Sequence, residues 1–158
     1  MRDTHRGLTI TDALYGEHGP LYALFGHLEE SAPRWELADL LLAGRCLEAA
    51  LLSHAKVEDD LLFPAVEARM PPGGPAAQMR LEHEEIDAEL TRLRNADTEA
   101  EGRRALATAI ALARDHFKKE EQVLFPLAEE LVGREELERL CQSWAELRGV
   151  SVPVSALP

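Results

Sequence analysis

Six residues of this sequence combine metal-ligand chemistry with the spacing of a helical core: His18, His54, Glu58, His83, His116 and Glu120. His54 and Glu58 are four residues apart, as are His116 and Glu120. That separation puts both side chains of each pair on one helix face, about a turn apart. The same seam otherwise carries Leu, Ile, Val and Ala. An unpartnered buried carboxylate costs several kcal/mol, so two of them on an apolar seam need a compensating charge. A metal supplies it, because neutral imidazole nitrogens and carboxylate oxygens are ligands and the cation neutralises the acids. A lone seam histidine is ordinarily a hydrogen-bonded core residue, and a lone His-x-x-x-Glu an exposed helix pair. Six such residues in register, drawn from four helices, are not explained that way.

The set is also duplicated. The run from His54 through Glu58 to Phe63 and Pro64 matches the run from His116 through Glu120 to Phe125 and Pro126 at an offset of 62 residues. Glu17-His18 matches Glu82-His83 at an offset of 65. The chain therefore reads as two helical hairpins, each with one His on its first helix and a His-x-x-x-Glu on its second, around a core of approximate two-fold symmetry. Four His and two Glu are too many for one tetrahedral zinc site. Two His per ion with both carboxylates bridging gives each of two ions four protein atoms. A solvent bridge would then leave about one open position per octahedral ion, a place that could take O2, peroxide or NO on a redox-capable pair. Ferritin-type bundles use Glu-x-x-His pairs instead, so this is a different pattern.

These residues must be positioned by four long helices. Asp12 is expected to cap the first, which carries Leu14, His18, Leu21, Phe25 and Leu28 and ends at Ser31-Ala32-Pro33. A second is expected from about Trp35 to Met70, where the run Pro71 to Pro75 breaks it. The third carries Met79, His83, Ile86, Leu90 and Leu93. The fourth carries Leu106, Ala109, Ala113, His116, Glu120, Val123 and Leu127 and stops near Gly133. Alternating three-and-four spacing with short loops predicts an all-α, up-down four-helix bundle. Residues 1–10 read as an N-terminal tail, 11–132 as the bundle, and 133–158 as a short amphipathic helix, from Glu135 to Leu147, and a tail.

Composition narrows the partners. The 158 residues are one domain's length, and 29 Asp and Glu against 17 Lys and Arg give a net charge of −12. That charge disfavours nucleic acid and anionic membrane surfaces, both of which select clustered cations. No apolar run reaches the ~20 residues of a spanning helix, and no signal peptide opens the sequence. Cys46 and Cys141 have no metal or redox spacing, which fits a reducing cytosol.

The arrangement of His18, His54-x-x-x-Glu58, His83 and His116-x-x-x-Glu120, with Leu-Phe-Pro after each glutamate motif, resembles the hemerythrin-like family, also called the HHE cation-binding domain. The resemblance covers about residues 10–132. It implies a four-helix bundle with a non-haem di-iron centre: His18 and His54 on one iron, His83 and His116 on the other, Glu58 and Glu120 bridging. Oxygen-carrying members add a fifth His one turn after the third-helix His, where this chain has Asp87. Their last carboxylate follows its His at five residues, whereas Glu120 follows His116 at four. The six-ligand version resembles instead the branch that includes iron–sulfur cluster repair proteins, peroxide-consuming proteins and an iron-sensing domain.

Several other residues carry expectations. Asp87 is either a further ligand or acceptor for the His83 ring, or a solvated acid. Tyr22, one turn after His18, is a candidate donor to a bound oxygen species, or a core-edge tyrosine. His5 and His27 read as solvated, as do the acid runs Glu82-Glu84-Glu85 and Glu135-Glu136. Pro20, Pro64 and Pro126 should kink their helices and free the carbonyls of Gly16, Asp60 and Gln122. The leading functional expectation is a cytoplasmic di-iron protein that binds or reacts with O2, peroxide or NO; an enzyme of this kind, an oxidoreductase acting on peroxide or NO, and a sensor would share these ligands. Iron storage or sensing through metal-dependent stability is the second reading, and a metal-free helical interaction module the third.

Overall fold

The computed structural model describes residues 6–153, and every regular element among them is helical. The α-helices are α1 (Ile10–Ser31), α2 (Leu37–Val57), α3 (Phe63–Glu67), α4 (Pro75–Arg94), α5 (Glu99–Lys119), α6 (Phe125–Leu131) and α7 (Arg134–Arg148). One π-helical turn, Glu58–Leu62, runs α2 into α3, and another, Glu120–Leu124, runs α5 into α6. Four rods result: α1, α2–α3, α4 and α5–α6. They form the up-down bundle, and α7 packs against α1 on its outside. No helix among the described residues is long and apolar enough to cross a membrane.

Local chemistry sets the rod ends. Thr9, rather than Asp12, is the N-cap of α1. The Thr9 hydroxyl accepts from the Asp12 N–H at 3.2 Å, and the Asp12 carboxylate accepts from the Thr9 N–H at 3.0 Å, a reciprocal capping box. Thr98 and Glu101 make the same box at the start of α5. Gly133, at φ 83°, turns the chain from α6 into α7, a conformation that L side chains rarely adopt.

The second helix is not the unbroken rod expected. A 3-10 turn at Ala32–Arg34 precedes α2, and the π turn interrupts the rod before Pro64. This turn also strips the carbonyl of Asp59 of a helical donor. The Phe63 N–H bonds to the Glu58 carbonyl, five residues back, and Pro64 has no N–H. The carbonyl of Asp59 thereby has no donor four or five residues on, and Arg80 Nη2 donates to it at 3.2 Å. Each π turn begins at a seam glutamate, in keeping with the concentration of π bulges at functional sites.

The core falls into two apolar clusters. One gathers Ile10, Leu14, Val57, Leu62, Phe63, Met79, Leu124 and Phe125, together with Leu137 and Cys141 of α7. The other gathers Phe25, Leu28, Leu47, Ile86, Leu90, Leu93, Ile110 and Phe117. On α1 and α4 the seam histidine lies between the two sets, and on the other two rods the His–Glu pair spans the change from one set to the other. At the close approach of α2 and α4, Gly44 leaves room for Leu93, whose Cδ2 would be 2.6 Å from an added Cβ.

Candidate metal centre

All six seam residues converge. Their ligand-type atoms form two groups, each with atoms within 4.8 Å of one another: His18, His54, Glu58 and Glu120, and Glu58, His83, His116 and Glu120. Both glutamates belong to both groups. Glu58 Oε1 lies 3.1 Å from His54 Nε2 and its Oε2 lies 3.3 Å from His83 Nε2. Glu120 Oε2 lies 3.2 Å from His18 Nε2 and its Oε1 lies 3.0 Å from His116 Nε2. Within each group the two Nε2 atoms face each other, at 3.1 Å for His18 and His54 and 3.0 Å for His83 and His116.

The outward nitrogens determine what the inward ones offer. Every seam imidazole has a carboxylate at Nδ1: Glu121 for His18 at 2.7 Å, Glu17 for His54 at 2.7 Å, Asp59 for His83 at 3.3 Å and Glu82 for His116 at 3.0 Å. A neutral imidazole that donates from Nδ1 presents a bare lone pair at Nε2. Four Nε2 lone pairs and four carboxylate oxygens are then pointed at one another, and both oxygens of buried Glu58 and Glu120 lack any hydrogen-bond donor. Acceptors facing acceptors in a buried space are what a cation would resolve. The residues present therefore fit metal ions.

Without a cation, protons stand in for it. Burial, reinforced by the Glu58 charge, pushes the Glu120 carboxyl up to about 8. Burial works against charging His54, but the Glu58 charge and the Glu17 hydrogen bond outweigh it and raise this imidazole to about 10. Burial likewise opposes ionisation of Glu58, yet the charge and hydrogen bond of His54 hold it well below the usual carboxylate range.

The acids behind the ring were the residues that sequence reasoning missed. Glu82, expected on a solvated face, is buried and accepts from His116 Nδ1, Lys119 and Gln78. Glu17 accepts from Trp144 Nε1 at 2.8 Å and Arg148 Nε at 2.6 Å, both from α7. A signal was available: both copies carry an acid just before the first His, at Glu17 and Glu82. Both also carry one just after the seam glutamate, at Asp59 and Glu121. Asp87 is exposed and stands in neither ligand group. Tyr22 donates to Glu121 at 3.3 Å, and burial together with the Glu121 charge raises its hydroxyl to about 12. His27 is exposed, as expected, and His5 lies outside the described residues.

Aromatic rings close one half of the ring of ligands. Phe117 stacks on the His18 imidazole at 3.9 Å and 6°, and Phe125 lies on it at 5.6 Å and 27°. His83 has Phe63 at 5.4 Å and 24°. A cavity of about 510 Å³ opens between α2 and α4, with His54, His83 and His116 among its lining residues.

A four-helix bundle with two histidine–glutamate clusters sharing both glutamates at its centre defines a helical metal-cation-binding protein. Residues 9–128 match the family model described as the hemerythrin HHE cation binding domain, and the chain belongs to that family. The matched segment ends inside α6 and leaves α7 outside it. Neither a curated protein nor a solved structure matches the chain.

Proposed function

We propose that this chain is a non-haem di-iron protein that binds or reacts with O2, peroxide or NO, in a sensing, detoxification or iron-centre repair role. In this reading His18 and His54 would hold one ion and His83 and His116 the other, with Glu58 and Glu120 shared between them. What supports it is the convergence of imidazole nitrogens and donor-less carboxylate oxygens in two groups that share both glutamates. A mixed nitrogen and oxygen set with positions left open suits iron. Bound iron supplies a redox-active Lewis acid with an open position for the small ligand.

The chain's own residues do the rest. Glu17, Asp59, Glu82 and Glu121 hold the Nδ1 protons, which fixes each tautomer and turns each Nε2 inward. Phe117 and Phe125 cover the His18 ring and keep water from it. The His83 side lines the cavity, so the small ligand enters there. Cys46 and Cys141 are both free thiols, which supports a reducing, cytoplasmic setting. The net charge of −12 argues against nucleic acid as partner.

Metal content tests this directly, on protein purified without added metal or chelator. About two irons per chain are expected from the two groups. His54→Ala and Glu120→Ala should each abolish the two-iron spectrum, whereas His27→Ala should leave it unchanged. A normal spectrum in the first two variants would refute the ligand assignment.

A further inference from the structure

The two halves of the site differ at one position, and the difference leaves a hole. The repeat pairs His54 with His116 and Ala55 with Phe117. The two-fold relation is obeyed by the other rings: Phe125 lies on His18 at 5.6 Å, and its counterpart Phe63 lies on His83 at 5.4 Å. The second ring of the sandwich has no counterpart. Phe117 covers the free face of His18 at 3.9 Å, whereas the corresponding residue in the other half is Ala55. His18 is accordingly 1% exposed and His83 12%. Both Ala55 and His83 line the 510 Å³ cavity.

From this broken symmetry we infer that the cavity beside His83 binds an uncharged aromatic molecule, whose ring takes the place that Phe117 occupies beside His18. The rest of the lining suits it. Leu51, Ile86, Leu90 and Phe117 offer apolar contact. The volume falls in the range of organic-ligand sites, about 300–1,000 Å³, and far exceeds the ~30 Å³ of a water-sized molecule. Charge argues against an anion. The two cationic side chains of the lining are already engaged, Lys56 with Asp60 at 2.7 Å and Arg80 with Asp59 at 3.0 Å and Glu67 at 3.0 Å. Glu84 and Asp87 add negative charge to the same lining. A ring over the free face of His83 gains the offset stacking that Phe117 supplies on the other side. The inference rests on the di-iron reading in one respect: the molecule would sit beside the proposed ligands His83 and His116, and so names the kind of substrate that reaches them.

The test uses the protein as purified, with 2-phenylethanol as probe, calorimetry for affinity and methyl resonances for location. Saturable binding that shifts the Ile86 and Leu90 methyls is expected. Ala55→Phe, which restores the missing ring, should weaken binding by about tenfold or more while metal content stays unchanged. The sulfate ester of the probe should bind about tenfold more weakly or worse, and 2-cyclohexylethanol at least about threefold more weakly. Absence of saturable binding, equal affinity for either analogue, or indifference to Ala55→Phe would each overturn the proposal. Metal counted in the same samples separates the two readings. Two irons without probe binding sinks this inference alone, and probe binding without iron sinks the di-iron reading alone.

Discussion

Arg148 donates from Nε to Glu17 Oε1 at 2.6 Å, and Glu17 in turn accepts from His54 Nδ1 at 2.7 Å. The last turn of α7, outside the segment that matches the family model, thus reaches a seam imidazole through one carboxylate. Trp144 adds a second donor to Glu17, and Arg148 also bonds the Ser53 carbonyl at 2.9 Å, beside His54. Burial would raise the Glu17 carboxyl, but the hydrogen bonds from His54, Arg148 and Trp144 more than offset this and lower it to about 2. In the other half, Glu82 is held by Lys119, which is 45% exposed, so the equivalent carboxylate is anchored from solvent rather than by a packed helix.

This relation predicts unequal effects of removing the two anchors. Arg148→Ala should weaken retention of one ion by about tenfold, the lower end of the range for partners behind metal ligands. Lys119→Ala should have a smaller effect. Competition with a chromophoric chelator, with helix content checked by circular dichroism, measures both. Equal retention in Arg148→Ala and the parent protein would show that α7 does not support the centre.

Metal removal should destabilise the bundle. The buried acceptor cluster is neutralised by the ions in the loaded protein and only by protons without them, so a chelator should lower the melting temperature. Glu120 carries a proton at pH 7 without a cation, so Glu120→Gln takes a carboxylate from the ions, and it should lower the melting of loaded protein and narrow the gap to stripped protein. Identical melting with and without chelator would favour a metal-free bundle.

Metal uptake should release protons and strengthen as the pH rises. Glu120 titrates at about 8 and His54 at about 10 in the metal-free protein, so at pH 7 both carry protons that a cation must displace. Apparent affinity should therefore rise by about a hundredfold per pH unit below 8, where two protons leave. Between 8 and 10 only His54 is still protonated, so the rise slows to about tenfold per unit. Calorimetry at pH 7 in buffers of different ionisation heat counts the protons. A pH-independent affinity over this window would contradict the arrangement.

Phe117 is 1% exposed and stacked on His18, so Phe117→Ala should cost about 3–5 kcal/mol in urea unfolding, the range for deleting a buried aromatic ring. It should also create beside His18 the space that Ala55 leaves beside His83 and so add a second site for 2-phenylethanol, while taking one apolar contact from the first, whose lining includes Phe117. Loss of stability without the second site would mean that neighbouring side chains collapse into the gap.

What the sequence by itself determined is whatever follows from spacing along one helix. His54 and Glu58 must share a face because a turn takes 3.6 residues, and the match of His116 and Glu120 at the same separation repeats that statement without any knowledge of tertiary contacts. The bundle and the seam were legible for the same reason, and so was the family resemblance. Contacts between rods were not. The repeated acid before His18 and His83 sets Glu82 apart from Glu84, yet the partner it meets, His116, is fixed only by the packing of α4 on α5, which leaves Glu84 exposed. Pro64 announced a disturbed helix, but that Arg80 arrives from α4 to bond the Asp59 carbonyl in the wider turn is a contact between rods. The tertiary structure alone decided that α7 supports Glu17 and that Ala55 leaves a face of His83 open. Both depend on which side chains meet across different helices, and helical periodicity says nothing about a neighbour that arrives from another part of the chain.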